Sequence, residues 1–393
     1  MNALPDERAI APVAVILPGG GARGAYQAGV LDGIASLYGP DDPVPFQIIA
    51  GTSAGAMNAA YLASRMDSFV TTAAHLCEVW ANISVGQVYQ AGYGKLIGVM
   101  LRWLWAFASG GRGASNPPRA LLDNTPLRKL LDENIDFSAI QTGIDKGLLH
   151  GLAITVAGYA SERALTYFQA AGEVEPWWRE RREGRPAKIA LDHVMASLAL
   201  PIIFPATKID GEWCGDGSTR QFAPLSPSVH LGAERLLIID VQHPAPSSIP
   251  HSGRDEKYPS LSRVMGYLLD AIFSDSLHSD LERLERVNQF LEHLPPAEAD
   301  PGRPLLRSIE TMMITPSSRP VRMAARHLNA LPKGIRWLLR SVGGEDEGGS
   351  LLLSYMLFEA AYCRELIELG RSDALMHGDE LRSFLGIHRT RSV

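Results

Sequence analysis

Short apolar blocks alternate with helical patterns along the first part of the chain. Residues 11–17, APVAVIL, form a continuous apolar run with three β-branched members, the pattern of a strand buried on both faces. The run ends in Pro18 and three glycines, and a helical pattern follows over 25–37. A loop bounded by Pro40 and Pro43 leads to a second short strand at 47–50, and a small-residue helix over 54–65 begins directly after Ser53. Strand, tight turn and helix therefore occur twice within 65 residues, which predicts a layered α/β sheet. Residues 71–131 read as helical, with Gly-containing breaks at 91–94 and 109–115. Strands are expected at 151–159 and 164–169, joined by a turn at Ser161-Glu162, and the charged stretch 173–188 reads as a surface excursion. A helix over 190–198 stops at Pro201, and residues 206–214 form a hairpin with Asp210-Gly211 at its tip. Residues 235–241, RLLIIDV, are another buried strand.

Beyond Pro244 the texture changes: Pro, Ser and charged residues dominate to 259. Helices follow over 261–294, then a strand at 309–314 and one amphipathic helix over 351–369. The chain thus divides into a larger α/β unit, 11–242, and a mainly helical region, 243–393, expected to pack on it rather than fold independently.

The composition narrows the function classes. Of 393 residues 46% are hydrophobic and 20% charged, an ordinary globular balance. A formal net charge of −6 gives no electrostatic reason to expect a nucleic-acid partner. Cys77, Cys214 and Cys363 are too few and too scattered for a disulfide framework or a metal site, and read as small buried hydrophobes. Asp6 and Glu7 stand where a secretory signal would carry basic residues, so no such signal is read. No run of 18 to 20 apolar residues occurs; the nearest approach, 96–108, is interrupted by Arg102. The expected location is the cytoplasm, with peripheral contact at a membrane as an option.

Three motifs carry candidate chemistry. Gly51-Thr52-Ser53-Ala54-Gly55 matches G-x-S-x-G, in which the serine sits on a strained strand-to-helix turn and the glycines let the backbone fold close. The pentapeptide also suits an ordinary helix cap, but a preceding strand and a following helix are the context that the serine elbow requires. Gly19-Gly20-Gly21-Ala22-Arg23-Gly24 follows the first strand and also satisfies G-x-G-x-x-G. A dinucleotide site would want an acidic residue after a second strand, whereas Asp41 and Asp42 lie in a Pro-bounded loop before it. The other use of such a loop is as an oxyanion hole, with bare backbone N–H groups meeting developing negative charge and the Ala54 N–H as a second source. Arg23 reads as a side chain that pins this loop rather than touching the reacting group. Asp216-Gly217-Ser218, after the hairpin, is either a carboxylate presented at a strand end or simply a turn.

Together these pieces resemble the patatin-like phospholipases. GGGARG after the first strand, GTSAG at the next strand end, ASLALPIIFP at 196–205 and the D-G box about 160 residues beyond the serine stand in that family's order, over residues 11–242. The resemblance implies a three-layer α/β/α fold with a central, mostly parallel sheet and, as in bacterial members, a helical C-terminal extension. It implies a lipid acyl hydrolase working by a Ser-Asp dyad without histidine or cofactor. Ser53 would be the nucleophile and Asp216 its base. Gly19, Gly20, Gly21, Gly24 and Ala54 would form the oxyanion hole, with Arg23 supporting it. The family's third box is usually D-G-A or D-G-G; Ser218 departs from it and could add a hydrogen bond near Asp216.

A histidine triad needs Ser, then Asp or Glu, then His in chain order, but His230 and His243 sit in no recognisable catalytic loop, and His193 reads as a helix or core residue. The substrate implied is a lipid or other acyl ester. Lys95, Arg102, Trp103 and Trp105 within 93–108 could meet a membrane surface, cover an acyl channel or belong to a packed core helix. Trp177 and Trp178 beside Arg179, Arg181 and Arg182 could touch lipid headgroups or be a solvated turn. Two other readings stay open: a lipid-binding or scaffolding protein that has lost turnover, and an acyltransferase sharing the acyl-enzyme half of the reaction.

Overall fold

The computed structural model describes residues 12–90, 120–244, 258–293, 307–334 and 347–387, together with positions 98, 101, 102, 105, 108 and 336. The expected breaks at 91–94 and 109–115 lie outside the described residues. Strand β1 (Val13–Leu17) leads through the glycine loop to α1 (Gly24–Ala35), and β2 (Ile48–Thr52) leads through Ser53 to α2 (Ala54–Ala63). Helices α3 (Phe69–Ala81), α4 (Val85–Val88), α5 (Thr125–Asn134) and α6 (Phe137–Asp145) precede β3 (Gly151–Gly158) and β4 (Ala164–Ala170). Strands β5 (Trp177–Arg179) and β6 (Arg182–Pro186), helix α7 (Leu191–Ser197) and the hairpin β7 (Thr207–Ile209)–β8 (Glu212–Asp216) follow. Then come α8 (Ser226–His230), β9 (Arg235–Ile239), the 32-residue α9 (Leu261–Glu292) and β10 (Glu310–Ile314). Helices α10 (Pro320–Arg326), α11 (Glu347–Met356), α12 (Ala360–Met376) and α13 (Gly378–Leu385) close the chain.

The sheet runs β10-β9-β1-β2-β3-β4-β6-β5, with β8 and then β7 branching from β3. From β10 to β3 every pair is parallel; β3 pairs antiparallel with both β4 and β8. Alternation along β1 shows why both faces must be covered. Val13, Val15 and Leu17 face the core built with α1, α2, α3 and α12, whereas Ala14 and Ile16 face the other, against Leu225, Leu231 and Leu277 beside α8 and α9. The result is the three-layer α/β/α arrangement.

Two expectations are corrected. The stretch 173–188 lies largely at the surface, but it is ordered into β5 and β6, which extend the sheet edge, and not all of its side chains face solvent. Trp177 is buried, stacked between Phe168 (4.8 Å) and His230 (4.5 Å), over Gly184, where a Cβ would sit 2.1 Å from the indole. It is therefore unavailable to headgroups, while its neighbour Trp178 is exposed and carries the Arg163 guanidinium on its ring. The helix expected over 351–369 is two helices. Its break falls at 357–359, where the Met356 carbonyl accepts the Tyr89 hydroxyl (2.9 Å) and Phe358 packs against Trp80 and Tyr89. The Asp210-Gly211 tip is as expected, with both residues at positive φ (48° and 85°), the backbone a two-residue hairpin needs.

Two of the contacts that join the C-terminal region to the α/β unit are a strand pair and a helix pair. β10 adds an edge strand beside β9, and α12 lies along α1. The two helices nearly touch backbones: a Cβ on Gly370 would lie 2.3 Å from the Tyr26 carbonyl, and one on Gly29 would lie 2.1 Å from that of Ile367. Across the same contact the Tyr26 hydroxyl donates to Asp373 (3.0 Å), and Arg371 pairs with Asp32. Glycine inside a helix costs about 1 kcal/mol in propensity, which this approach offsets. Gly370→Ala is expected to lower stability by about 1–3 kcal/mol as the helices are forced apart, read as an earlier midpoint in urea unfolding with unchanged slope. An unchanged midpoint would show that α12 can shift at no cost.

Candidate active site

The serine elbow is built by sterics. Ser53 has φ 54° and ψ −127°, a conformation that a non-glycine residue holds only when its surroundings impose it. The turn is this tight because the flanking glycines have no room for side chains: a Cβ on Gly55 would sit 1.8 Å from the Leu17 carbonyl, and one on Gly51 2.4 Å from that of Gly55. The Ser53 N–H donates to the Ser197 hydroxyl (2.8 Å), which in turn donates to the Thr155 carbonyl (2.7 Å). Ser53 itself is almost wholly buried, and Ala54 opens α2, so the unpaired N–H groups and positive end of that helix lie at the serine.

Asp216 ends β8 and is fully buried. Its Oδ1 accepts the Ser218 N–H (2.9 Å). Burial raises the carboxyl to about 6, opposed first by the Ser53 side chain and then by Ser218. The Ser218 N–H is a contact that any residue at this position would supply, and the Ser218 hydroxyl is buried beside it. The Asp216 N–H donates to the Ala199 carbonyl (2.9 Å), tying the carboxylate to the loop after α7.

Ser53, Ala54 and Asp216 line one cavity together with Gly21. The other walls are apolar: Met57, Trp80, Leu198, Leu200 and Phe204 from the first two thirds of the chain, and Phe273, Met356 and Phe358 beyond them. The space available is small, ≈ 40 Å³. Within the glycine loop only Gly21, held at φ 55°, borders it. The Cα of Gly19 faces Phe273 and Ser218, that of Gly20 faces Val241, and that of Gly24 faces Trp80. Gly217 packs on the Thr155 carbonyl below Asp216.

Arg23 does not line the cavity, although its partner Tyr355 does. It is buried, its Nε and Nη2 both donate to the Ser354 hydroxyl (3.0 and 2.6 Å), and its Nη1 donates to Gln242 (2.7 Å) and the Tyr355 hydroxyl (3.2 Å). The guanidinium also lies 3.9 Å from the Tyr355 ring centre and 3.9 Å from the Asp270 carboxylate. A second buried network holds the loop from below: Trp80 donates to Asn58, Asn58 donates to Gln27 and the Gly24 carbonyl, and Gln27 donates to the carbonyls of Pro18 and Ile239. Ser354, Tyr355, Gln242, Gln27 and Asn58 carry no motif of their own, and Ser197, though inside 196–205, is not singled out there, so sequence reasoning passes over them. The one available signal was a polar side chain within an otherwise apolar helical pattern.

No histidine lines the cavity. His193 accepts the Ala190 N–H and packs on Tyr167, His230 stacks on Trp177, and His243 donates from Nδ1 to the Pro316 carbonyl. Of the 93–108 segment, Leu101, Arg102 and Trp105 are described and exposed; Lys95 and Trp103 lie outside the described residues. Among the described residues no helix is long and apolar enough to cross a membrane.

Comparison with known proteins gives a consistent picture. The family model Patatin, described as patatin-like phospholipase, matches residues 15–228. No curated protein matches. Among solved structures, VipD from Legionella pneumophila aligns at 14% identity and TM-score 0.33, over 88% of this chain and 67% of that one. Human GIVD cytosolic phospholipase A2, in complex with methyl gamma-linolenyl fluorophosphonate, aligns at 11% identity and TM-score 0.42. That alignment covers 96% of this chain and 60% of the human chain, so the chain spans less than two thirds of its length.

The raised Asp216 carboxyl carries a stability consequence. Between its ordinary value of 3.8 and about 6, the folded chain keeps a proton that the unfolded chain has released. Stability therefore falls as pH rises through that window and stays low above it, by as much as about 3 kcal/mol. Asp216→Asn, which cannot ionise, is expected to melt higher than wild type at pH 8 and alike at pH 4. Equal melting at both pH values would mean that ionised Asp216 is not strained in the fold.

Proposed function

This chain belongs to the patatin-like phospholipase family, and we propose that it hydrolyses lipid acyl esters with Ser53 as nucleophile and Asp216 as general base. The observation that carries the reading is the buried Asp216 carboxylate meeting the Ser53 side chain in the same narrow apolar cavity, with Ser53 held in a strained turn. A desolvated carboxylate with a raised proton affinity is a stronger base than one in water, and it titrates close enough to neutrality to take and return a proton.

In this mechanism the Ser53 hydroxyl gives its proton to Asp216 as Oγ attacks the ester carbonyl. The carbonyl oxygen gains charge beside the glycine loop at Gly21 and the Ala54 N–H, where the positive end of α2 adds to the stabilisation. The leaving alcohol takes the proton back from Asp216. Water, deprotonated by the same carboxylate, then attacks the acyl-Ser53 ester and frees the fatty acid. Arg23 acts as a positioning residue, holding the loop through Ser354 and Gln242. Apolar walls favour an acyl chain over a polar substrate.

Hydrolysis of p-nitrophenyl esters across acyl lengths tests the assignment. Ser53→Ala and Asp216→Asn are each expected to lower kcat/KM by about 10²–10⁴-fold or more, the range for loss of a positioned base. Asp216→Asn with near-normal turnover would eliminate the dyad and require a histidine. Absence of turnover together with absence of Ser53 labelling by a fluorophosphonate would favour the binding-protein reading. Labelling with turnover only in the presence of an alcohol acceptor would favour acyl transfer.

The pH profile supplies a separate check. Because the base must be ionised, kcat/KM is expected to rise with pH to a plateau, with its midpoint near the Asp216 value of about 6. A midpoint near 4 would mean that the working carboxylate is solvated in the free enzyme.

A further inference from the structure

A second concave site lies away from the catalytic cavity, where the chain leaves β9 and β10. Its rim is formed by His243, Ser317, Ser318, Arg319, Arg322 and Arg326, with Met323 and Leu369 beneath, and it encloses ≈ 450 Å³. Crevices outside the carboxyl ends of strands are the usual ligand position in open α/β sheets. The volume falls in the range of small-molecule sites.

The charge here runs against that of the whole chain. Three guanidiniums converge on one hollow of a protein whose formal net charge is −6. Arg326 is partly neutralised by Glu365 (2.7 Å), which also meets His327 (3.1 Å). Arg319 and Arg322 have no carboxylate partner among the described residues, and both are exposed. A hollow lined by one sign of charge concentrates counter-ions from solution. Ser317 and Ser318 add hydroxyl donors, so the rim offers more donors than a carboxylate's two oxygens can use. A tetrahedral phosphoryl group, with three terminal oxygens, matches planar guanidinium forks and hydroxyls together. The apolar floor of Met323 and Leu369 leaves room for a substituent beyond the phosphate.

We propose that this hollow binds a phosphoryl group, with Arg319 and Arg322 as its principal contacts. The site is distinct from the Ser53 cavity and shares none of its lining residues. The same chemistry is offered by a soluble phosphate ester and by the phosphomonoester headgroup of a lipid.

Two measurements on the full chain separate these sources. The first is calorimetric titration with inorganic phosphate; the second is co-sedimentation with phosphatidylcholine vesicles containing or lacking phosphatidic acid. The comparison protein is Arg319→Gln/Arg322→Gln, whose exposed side chains should leave melting temperature and hydrolysis of a short soluble ester unchanged. Wild type is expected to bind phosphate, and the double variant at least tenfold more weakly. Recruitment to phosphatidic acid vesicles that is lost in the variant and competed by phosphate would identify a lipid headgroup. Phosphate binding without recruitment would identify a soluble ester. Absence of binding in both assays, or binding unchanged by the double substitution, would overturn the proposal. Because neither assay reads turnover, the result is independent of the Ser53–Asp216 dyad.

Discussion

The site depends on one buried cation. Arg23 sits inside the fold, where a charge is tolerated only if its donors are satisfied. Ser354, Gln242 and the Tyr355 hydroxyl accept from it, the Tyr355 ring stacks on it and Asp270 lies near. These partners come from α11, from the exit of β9 and from α9. Satisfying one side chain of the glycine loop therefore brings three distant segments against it. The same convergence delivers Phe273, Met356 and Phe358 to the cavity wall. Losing the acceptors would leave an uncompensated charge under the loop, so the loop geometry and the C-terminal packing stand or fall together.

Much of this architecture was legible in the chain. The apolar run at 13–17 between a polar start and a glycine loop permits little besides a central strand, and the GTSAG elbow follows from steric necessity at Gly51 and Gly55. Asp210-Gly211 named its own turn. What was not legible arises from partners far away in sequence. The charge in 173–188 suggested solvent, which holds for most of the stretch, but Trp177 finds Phe168 and His230 only once the sheet exists, so local composition misplaced that side chain. The uninterrupted apolar periodicity over 351–369 predicted one helix, because nothing nearby shows that Tyr89 takes the Met356 carbonyl. Arg23 could be read as a loop support, yet Ser354 and Gln242 as its acceptors could not, lying 331 and 219 residues away.

The α1–α12 contact shows how the two ends of the chain are held in register. Small residues bring the helix backbones close, and the buried pair Tyr26–Asp373 fixes their relative position. Asp373 also accepts the Ser317 N–H (3.0 Å), just after β10, so one carboxylate joins α1, α12 and the edge of the sheet. The hollow rimmed by arginines begins at that same serine. The support of the glycine loop and the floor of the second hollow are thus parts of one packed layer.

The order of synthesis gives the position of the cavity wall a biological meaning. A ribosome that has delivered Ser53 and Asp216 has yet to make Phe273, Met356 and Phe358, or the residues that anchor Arg23. The glycine loop cannot find its acceptors, nor the cavity its far wall, until the chain has been extended through α11.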